Sequence, residues 1–256
     1  MIAPINGWTS DRPGHLEING ERLCLLAIHA HPDDESSKGA GIAAKYADEG
    51  IRTVLVTCTG GEAGEILNPA MDVPGTLERM PEVRRDELRE ATRVLGYSVV
   101  YLLGYHDSGM PNTDWNARPD NFHNAPVDEA VAKLVEIIRR ERPQVIITYS
   151  DDRPRGDDDR PRYGHPDHVK VHEVSLPAFD AAADATYRPE FGTAWQASKL
   201  YYTGWSPRRQ QALEQLYDEL GIERPQRGPG IRPRRTPEDW EDRFTTLVDV
   251  GDYLEH

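Results

Sequence analysis

The sequence predicts an α/β fold: a Rossmann-like, mostly parallel sheet with helices on both faces. Short runs rich in Val, Ile, Leu and Thr alternate with longer segments of helical periodicity, and this rhythm favours a parallel sheet between two layers of helices. The chain has 256 residues, 38% of them hydrophobic, which suits one core better than two. We therefore expect a single domain over 1–256, with its core at about 22–220 and an irregular part over 221–256.

The predicted elements follow one another as strand and helix. Strands are predicted at 22–30, 52–59, 98–105, 144–150 and near 197–205. Helices are predicted at 36–49, 78–95, 126–141, after residue 168 and at 206–220. Pro126 suits the first turn of the third helix, and Pro143 follows its end. A basic, irregular linker over 224–240 leads to a last predicted strand, "RFTTLVDV" at 243–250.

Charge and cysteine content narrow the range of partners. The formal net charge is −14, with 44 acidic against 30 basic residues, and this excess disfavours nucleic acid and anionic membrane. A small-molecule substrate fits better, and a homo-oligomer is compatible with the sequence.

Cys24 and Cys58 lie in apolar runs, where buried thiols are favoured over a disulfide or a catalytic role. No signal peptide or membrane-length apolar run is visible, so we expect a cytoplasmic protein.

Polar motifs follow four of the predicted strands, and the one after the second strand runs from Thr59 to Glu65. "HAHPDDE" (29–35) follows the first, "HDSGM" (106–110) the third, and "YGHPDH" (163–168) the fourth, after a charged loop over 150–162. Because ligands bind at the carboxyl ends of parallel strands, we expect these motifs to meet at one edge of the sheet. Either histidine motif alone fits an exposed loop that caps the next helix. Two such motifs on one edge favour a metal site there.

The two histidine motifs carry the ligand types of a hydrolytic zinc site, which keeps one position open for water. Three ligands are predicted: His31, Asp34 and His168. Asp33 is then the predicted general base for the attacking water, and His165 is predicted to face the oxyanion of an attacked amide. His29, at the end of its strand, is expected to be a core or supporting histidine. Zn²⁺ suits the ligand set, and Fe²⁺ is also accepted by two histidines and one carboxylate.

Five stretches together identify the chain as similar to a known family. "HAHPDDESSKGAGIAAKYADEG", "TCTGGEAGEILNPAMD", "RRDEL", "DSGM" and "YGHPDH" resemble, in this order, the zinc-dependent N-acetylglucosaminyl deacetylases of the LmbE-like or PIG-L superfamily. The resemblance covers about 22–220 and is strongest to the mycothiol S-conjugate amidases. It implies zinc bound by the three residues named above, Asp33 as general base and His165 as the group that stabilises the tetrahedral intermediate.

The resemblance also implies roles for further residues. Asp107 would orient His165, and Tyr163 would help to polarise the substrate carbonyl. Glu65 and Arg84 match positions that hold the sugar-inositol part of the substrate, although a loop carboxylate and a solvated helix arginine are ordinary alternatives. Lys38, in "ESSKGA", is typical of the S-conjugate amidases and unusual in the biosynthetic deacetylases, although a solvent-facing helix lysine remains the alternative.

The function implied is hydrolysis of a linear amide between a glucosamine nitrogen and an acyl group, as in the detoxification of mycothiol conjugates. The alternatives are deacetylation of N-acetylglucosaminyl-inositol or of a glycosylated secondary metabolite, and metal binding without catalysis.

Two features depart from the family pattern. The charged loop over 150–162 is longer than the usual connection and is expected to reshape the acyl pocket. Related amidases continue past the last residue here, so we expect a longer natural chain, with "LEH" (254–256) resembling a tag remnant.

Overall fold

The structure, a computed structural model, describes residues 2–5, 8, 12–66, 68–150, 164–204, 207–223 and 244–253. Two very short antiparallel strands precede the main sheet, β1 Glu17–Ile18 and β2 Glu21–Arg22. Five parallel strands form the main sheet: β3 Cys24–His29, β4 Arg52–Thr59, β5 Val99–Tyr105, β6 Val145–Tyr149 and β7 Lys199–Thr203. Each lies within the run that predicts it, so the predicted parallel sheet is confirmed.

The order of strands across the sheet is β5-β4-β3-β6-β7, with every neighbouring pair parallel. The chain moves outward from β3 to β5, then returns to the other side of β3 and continues to β7. In open parallel sheets, the two strands at such a reversal have a crevice between the loops at their carboxyl ends. Here that position lies between β3 and β6, which pair through Leu26 and Ile146.

Seven helices lie in the described part of the chain: α1 Asp34–Ser37, α2 Ala40–Asp48, α3 Met80–Val94, α4 Asp114–Ala117, α5 Val127–Glu141, α6 Pro166–Ala183 and α7 Pro207–Leu220. Three 3₁₀ turns accompany them, at Pro69–Met71, Pro189–Phe191 and Gly251–Tyr253. None of these helices is both long and apolar enough to cross a membrane.

Helices cover both faces of the sheet, as predicted. On one face, Ala43 of α2 and Leu88 of α3 pack with Ala27 and Leu55 of the sheet. On the other face, α5 and α6 pack over the larger core, and Leu134 of α5 is fully buried there. Burying such a side chain stabilises the fold by roughly 1.5–3 kcal/mol. Successive side chains of β3 and β4 therefore pack against the helices on opposite faces of the sheet. This packing holds in place the edge of the sheet where the polar motifs lie.

Two sequence predictions are wrong in detail. The single helix predicted over 36–49 is broken between α1 and α2, because Gly39 has φ 125°, a conformation that favours glycine and ends a helix. The last predicted strand is absent from the described residues 244–250, which pair with no strand. That segment instead packs against α2, where Lys45 Nζ donates to the carbonyl oxygen of Asp249 at 3.1 Å.

The two thiols lie where the sequence analysis expects them. Cys24 and Cys58 are both free and buried, on β3 and β4. Burial raises the pKa of each thiol well above its usual value, which keeps both protonated and unreactive.

Candidate metal centre and active site

The two histidine motifs meet at the carboxyl ends of β3 and β6. β3 ends at His29, and the turn that follows leads into α1 with His31 and Asp34 buried. Helix α6 begins at Pro166, directly after His165, and the Nδ1 of His165 accepts a hydrogen bond from the backbone N–H of Asp167. The fold therefore brings together motifs that are more than 130 residues apart, as the sequence analysis predicts.

The three predicted metal ligands have a spacing that suits zinc. His31 Nδ1 and His168 Nε2 lie 3.6 Å and 3.4 Å from the same oxygen, Oδ2 of Asp34. In a tetrahedral site with zinc–ligand bonds of about 2.0–2.1 Å, ligand atoms are roughly 3.3–3.4 Å apart. One donor atom from each of the three residues lies within 4.8 Å of the others. The donor set and its spacing thus fit a zinc ion.

Asp167 is a member of the site that the sequence analysis missed. Its side chain is fully buried, and Oδ2 lies 3.1 Å from His31 Nε2 and accepts the backbone N–H of Ser108 at 2.9 Å. Its other oxygen, Oδ1, is buried and has no hydrogen-bond partner among the described residues. A carboxylate on the outer nitrogen of a metal-binding histidine fixes the ring and raises its basicity. Its place between the two histidines of "HPDH" is the sequence signal that could have identified it.

The charges around His31 favour a cation at this point. Burial alone lowers the pKa of His31, but hydrogen bonds to Asp107, Asp167 and Asp34 outweigh it and hold that pKa well above its usual value. Burial likewise raises the pKa of Asp34, and contacts with His168 and His31 outweigh it, so the net pKa lies well below its usual range. Three carboxylates around one imidazole require positive charge, which a proton or a metal ion supplies.

His165 and Asp107 lie together beside His31. His165 Nε2 is 3.8 Å from Asp107 Oδ1, and the rings of His165 and His31 meet edge to face with centroids 4.3 Å apart. Burial, with the neighbouring His31, lowers the pKa of His165 to about 4. Burial raises the pKa of Asp107, but the contact with His31 outweighs this effect and lowers that pKa to about 2. The two side chains are therefore neighbours, and the orienting role of Asp107 stays a prediction.

Tyr149, at the end of β6, is a second residue that the sequence analysis missed. Its ring stacks on His168 with centroids 4.6 Å apart and an interplanar angle of 11°. Its hydroxyl oxygen accepts the backbone N–H of Ala30 at 3.3 Å, and burial raises the pKa of Tyr149 well above its usual value. His29 contacts the same ring edge to face, which agrees with the expected supporting role. A buried aromatic ring therefore fixes the orientation of His168.

The remaining predicted residues have different environments. Lys38 forms an ion pair with Asp34 Oδ1, and its Nζ lies 5.5 Å from the centre of the Tyr149 ring, so it is not a solvent-facing helix lysine. Arg84 donates through Nη2 to Asp33 Oδ2 at 2.5 Å and to the carbonyl oxygen of Pro32. Glu65 is exposed and makes no hydrogen bond or ion pair with any described residue.

One predicted residue, Tyr163, lies outside the described residues. The charged loop over 150–162 does too, except for Ser150, so its expected effect on the acyl pocket stays a prediction.

A cavity of about 1250 Å³ adjoins the site. Lys38, Tyr149 and His168 belong both to the wall of this cavity and to the site described above. Apolar side chains line much of the rest, among them Leu25, Ile42, Ile51, Ile147, Val248 and Val250. An apolar group in this space would be removed from water at a gain of roughly 25 cal/mol per Å².

Comparisons with known proteins identify the family of the chain. The family model "PIG-L: GlcNAc-PI de-N-acetylase" matches residues 26–179. A mycothiol S-conjugate amidase from Streptomyces coelicolor is 41% identical over 251 residues, covering 92% of this chain and 79% of the relative. A 1D-myo-inositol 2-acetamido-2-deoxy-alpha-D-glucopyranoside deacetylase from Geodermatophilus obscurus is 43% identical over 184 residues, covering 70% of this chain and 60% of the relative.

Solved structures share the fold at lower identity. The N,N'-diacetylchitobiose deacetylase of Pyrococcus horikoshii superposes with a TM-score of 0.53 at 21% identity, covering 70% of this chain and 60% of that one. The 4-carboxy-2-hydroxymuconate hydratase GalB of Pseudomonas putida KT2440 superposes with a TM-score of 0.54 at 22% identity, covering 75% and 69%. These two similarities concern the fold alone, since one of the solved structures is a deacetylase and the other is a hydratase. The family match and the sequence relatives confirm the resemblance: the chain belongs to the PIG-L, or GlcNAc-PI de-N-acetylase, family of hydrolytic deacetylases and amidases.

Proposed function

We propose that the chain is a zinc-dependent amidase that cleaves the amide between a glucosamine nitrogen and a bulky acyl group, with a mycothiol S-conjugate as substrate. The observation that carries the proposal is the convergence of His31, Asp34 and His168 on one point, at zinc-like spacing. Asp33 and His165, the two groups needed for hydrolysis, belong to the same two motifs.

Three side chains of the proposed site each have a task in this reaction. Asp33 takes the proton of the attacking water, and His165 donates a hydrogen bond to the carbonyl oxygen as negative charge develops there. Asp107 lies 3.8 Å from Nε2 of His165 and favours a proton on that nitrogen, and Asp33 or His165 returns a proton to the departing amine. Zinc, when bound, acts as a Lewis acid and lowers the pKa of water to about 7.

The cavity beside the site supports a bulky acyl group. Lys38 and His168 contribute both to the metal site and to its wall. An acetyl group needs only a small part of about 1250 Å³, whereas an acyl chain that carries a thioether-linked substituent can use much more of it. The amidase from Streptomyces coelicolor, which aligns over 92% of this chain, supports the same choice.

Deacetylation of an N-acetylglucosaminyl-inositol is the second candidate. It is supported by the deacetylase relative at 43% identity, whose alignment spans 60% of that relative's length. The bond broken is of the same kind in both candidates, and only the acyl group differs.

Substitution of the proposed base tests the hydrolytic mechanism. We expect Asp33→Asn to lower kcat for amide hydrolysis by roughly 10²–10⁴-fold, because general base catalysis contributes about that much. Zinc content, measured by mass spectrometry of the metal, is expected to stay unchanged because Asp33 is not one of the ligands. Asp86→Asn, an exposed carboxylate on α3, is the matched control and should retain activity. Full activity of Asp33→Asn would contradict the proposed mechanism.

A further inference from the structure

Asp33 has an unusual backbone conformation. Its φ of 116° and ψ of −25° lie in the left-handed half of the map, where a residue with a Cβ is rarely found. Such a conformation persists only when the surrounding structure holds it. Asp33 immediately precedes α1, but its side chain makes no capping hydrogen bond to that helix. Its carboxylate therefore does not cap that helix.

Glu35 holds the backbone of Asp33 from one side. This side chain is almost fully buried, and its Oε2 accepts the backbone N–H of Asp33 at 2.9 Å. Its other oxygen, Oε1, accepts the hydroxyl of Ser36 at 2.7 Å. Both carboxylate oxygens of Glu35 are thus engaged in fixing the turn that carries Asp33.

Arg84, on α3, holds Asp33 from the other side. Its Nη2 contacts both the carbonyl oxygen of Pro32 and Oδ2 of Asp33, and its Nη1 donates to Glu87 at 3.1 Å. Gly61 permits this close approach, since a Cβ there would lie 3.0 Å from Pro32 and 3.3 Å from Arg84 Nε. Both terminal nitrogens of the guanidinium are therefore engaged by protein groups, whereas Nε is buried and has no hydrogen-bond partner among the described residues. Among the described residues, only Oδ2 of Asp33 is bound by another side chain, and Oδ1 has no such partner.

We propose that Arg84 and Glu35 are positioning residues that hold Asp33 in its left-handed turn, fix its Oδ2 and leave Oδ1 to take the proton. The inference rests on the proposed function, in which Asp33 is the general base. It gives Arg84 a task that acts through Asp33 and differs from direct contact with the sugar-inositol part of the substrate.

A double-mutant cycle tests the role of Arg84. Wild type, Arg84→Met, Asp33→Asn and the double variant are compared in the metal-loaded protein, with free amine quantified over long incubations. We expect Arg84→Met to lower kcat on the order of 100-fold, the size of effect that a small misplacement of a reacting group produces. KM is expected to change by less than about threefold. Once Asp33 is Asn, removing Arg84 should cost almost nothing more. Arg89→Met, an exposed arginine on the same helix, is the control.

The outcomes separate the inference from the function beneath it. A raised KM with kcat retained, or an equal loss in the Asp33→Asn background, would overturn the role of Arg84 while leaving the amidase intact. Full activity of Asp33→Asn would instead contradict the proposed function.

Two substitutions test Glu35. Glu35→Gln keeps an acceptor for the Asp33 N–H and should stay within about threefold of wild type, whereas Glu35→Met removes it and should lower kcat by about tenfold or more. Thermal unfolding and metal content show whether each variant is folded and loaded. If the Met variant does not fold, the Gln variant and the Arg84 cycle still decide. Equal, full activity of both Glu35 variants would overturn the role of this residue.

Discussion

The carboxylate of Asp167 offers the sharpest test of how the metal site is supported. Replacing it by asparagine keeps the size of the side chain. The amide oxygen can stay in the position of Oδ2, where it still accepts the N–H of Ser108 at 2.9 Å and faces His31 Nε2 at 3.1 Å. The amide nitrogen then takes the position of Oδ1, which is buried and has no partner among the described residues. The substitution therefore removes the negative charge that lies beside His31 Nε2 and buries an unsatisfied amide donor.

The expected loss of metal affinity follows from these contacts. Removing the charged group behind a metal-binding histidine typically lowers metal affinity about 10–100-fold. This range corresponds to about 1.4–2.7 kcal/mol of binding free energy. The buried amide donor adds a folding cost of about 1–3 kcal/mol, which acts on the protein with or without metal.

Competition with a fluorescent zinc chelator at fixed pH measures the affinity, and urea unfolding of the metal-free protein measures the folding cost separately. Asp86→Asn, an exposed carboxylate on α3, is the control for loss of one acidic charge. A zinc Kd of Asp167→Asn within about twofold of wild type would refute the argument that this carboxylate supports the ligand His31.

Three further predictions concern the cavity, the core and the thiols. Lys38→Ala should lower kcat/KM for a bulky S-conjugate about tenfold more than for an acetyl substrate, because Lys38 lies where the cavity joins the metal site; equal losses would contradict this. Arg139→Met should lower the free energy of unfolding in urea by about 2–4 kcal/mol, since the buried guanidinium donates to four carbonyl oxygens around the end of α6. An unchanged urea midpoint of unfolding would contradict this. Cys24 and Cys58 should react with a thiol reagent at pH 8 only after denaturant is added, because burial raises the pKa of both; rapid labelling of the folded protein would show that burial is incomplete.

The strands, and the meeting of the two histidine motifs, could be predicted from the sequence for a physical reason. Parallel strands buried on both faces need continuous apolar runs, and their carboxyl ends share one edge. His31 and His168 each follow such a run or the loop after it, so their meeting needed no knowledge of side-chain packing. The break at Gly39 was harder to predict, because good helix formers on both sides of it favour one continuous helix.

The contacts that support the proposed ligands could not be predicted from the sequence in the same way. Asp167 and Tyr149 act by touching His31 and His168, and which ring nitrogen or ring face they touch depends on how α6 packs beside β6. Arg84 and Asp33 are 51 positions apart, and no local pattern links an arginine on α3 to the turn before α1. The motif therefore predicts the chemistry of the site, whereas tertiary packing decides how its groups are oriented.

The fold alone does not decide the reaction. Both a deacetylase and a hydratase superpose on this chain with similar TM-scores, 0.53 and 0.54. What favours amide hydrolysis is the family match together with the proposed site, in which Asp33 directly precedes Asp34 and His165 lies 3.8 Å from Asp107.

The most direct test of the central claim compares two substrates of the metal-loaded protein. The bimane conjugate of mycothiol and N-acetylglucosaminyl-inositol are incubated separately, and kcat/KM is obtained from the free amine released. We expect the conjugate to be cleaved at least about tenfold more efficiently, because its large acyl group can use the cavity beside Lys38 and His168. Preference for the acetyl sugar, or no turnover of either substrate with zinc bound, would contradict the assignment as an S-conjugate amidase.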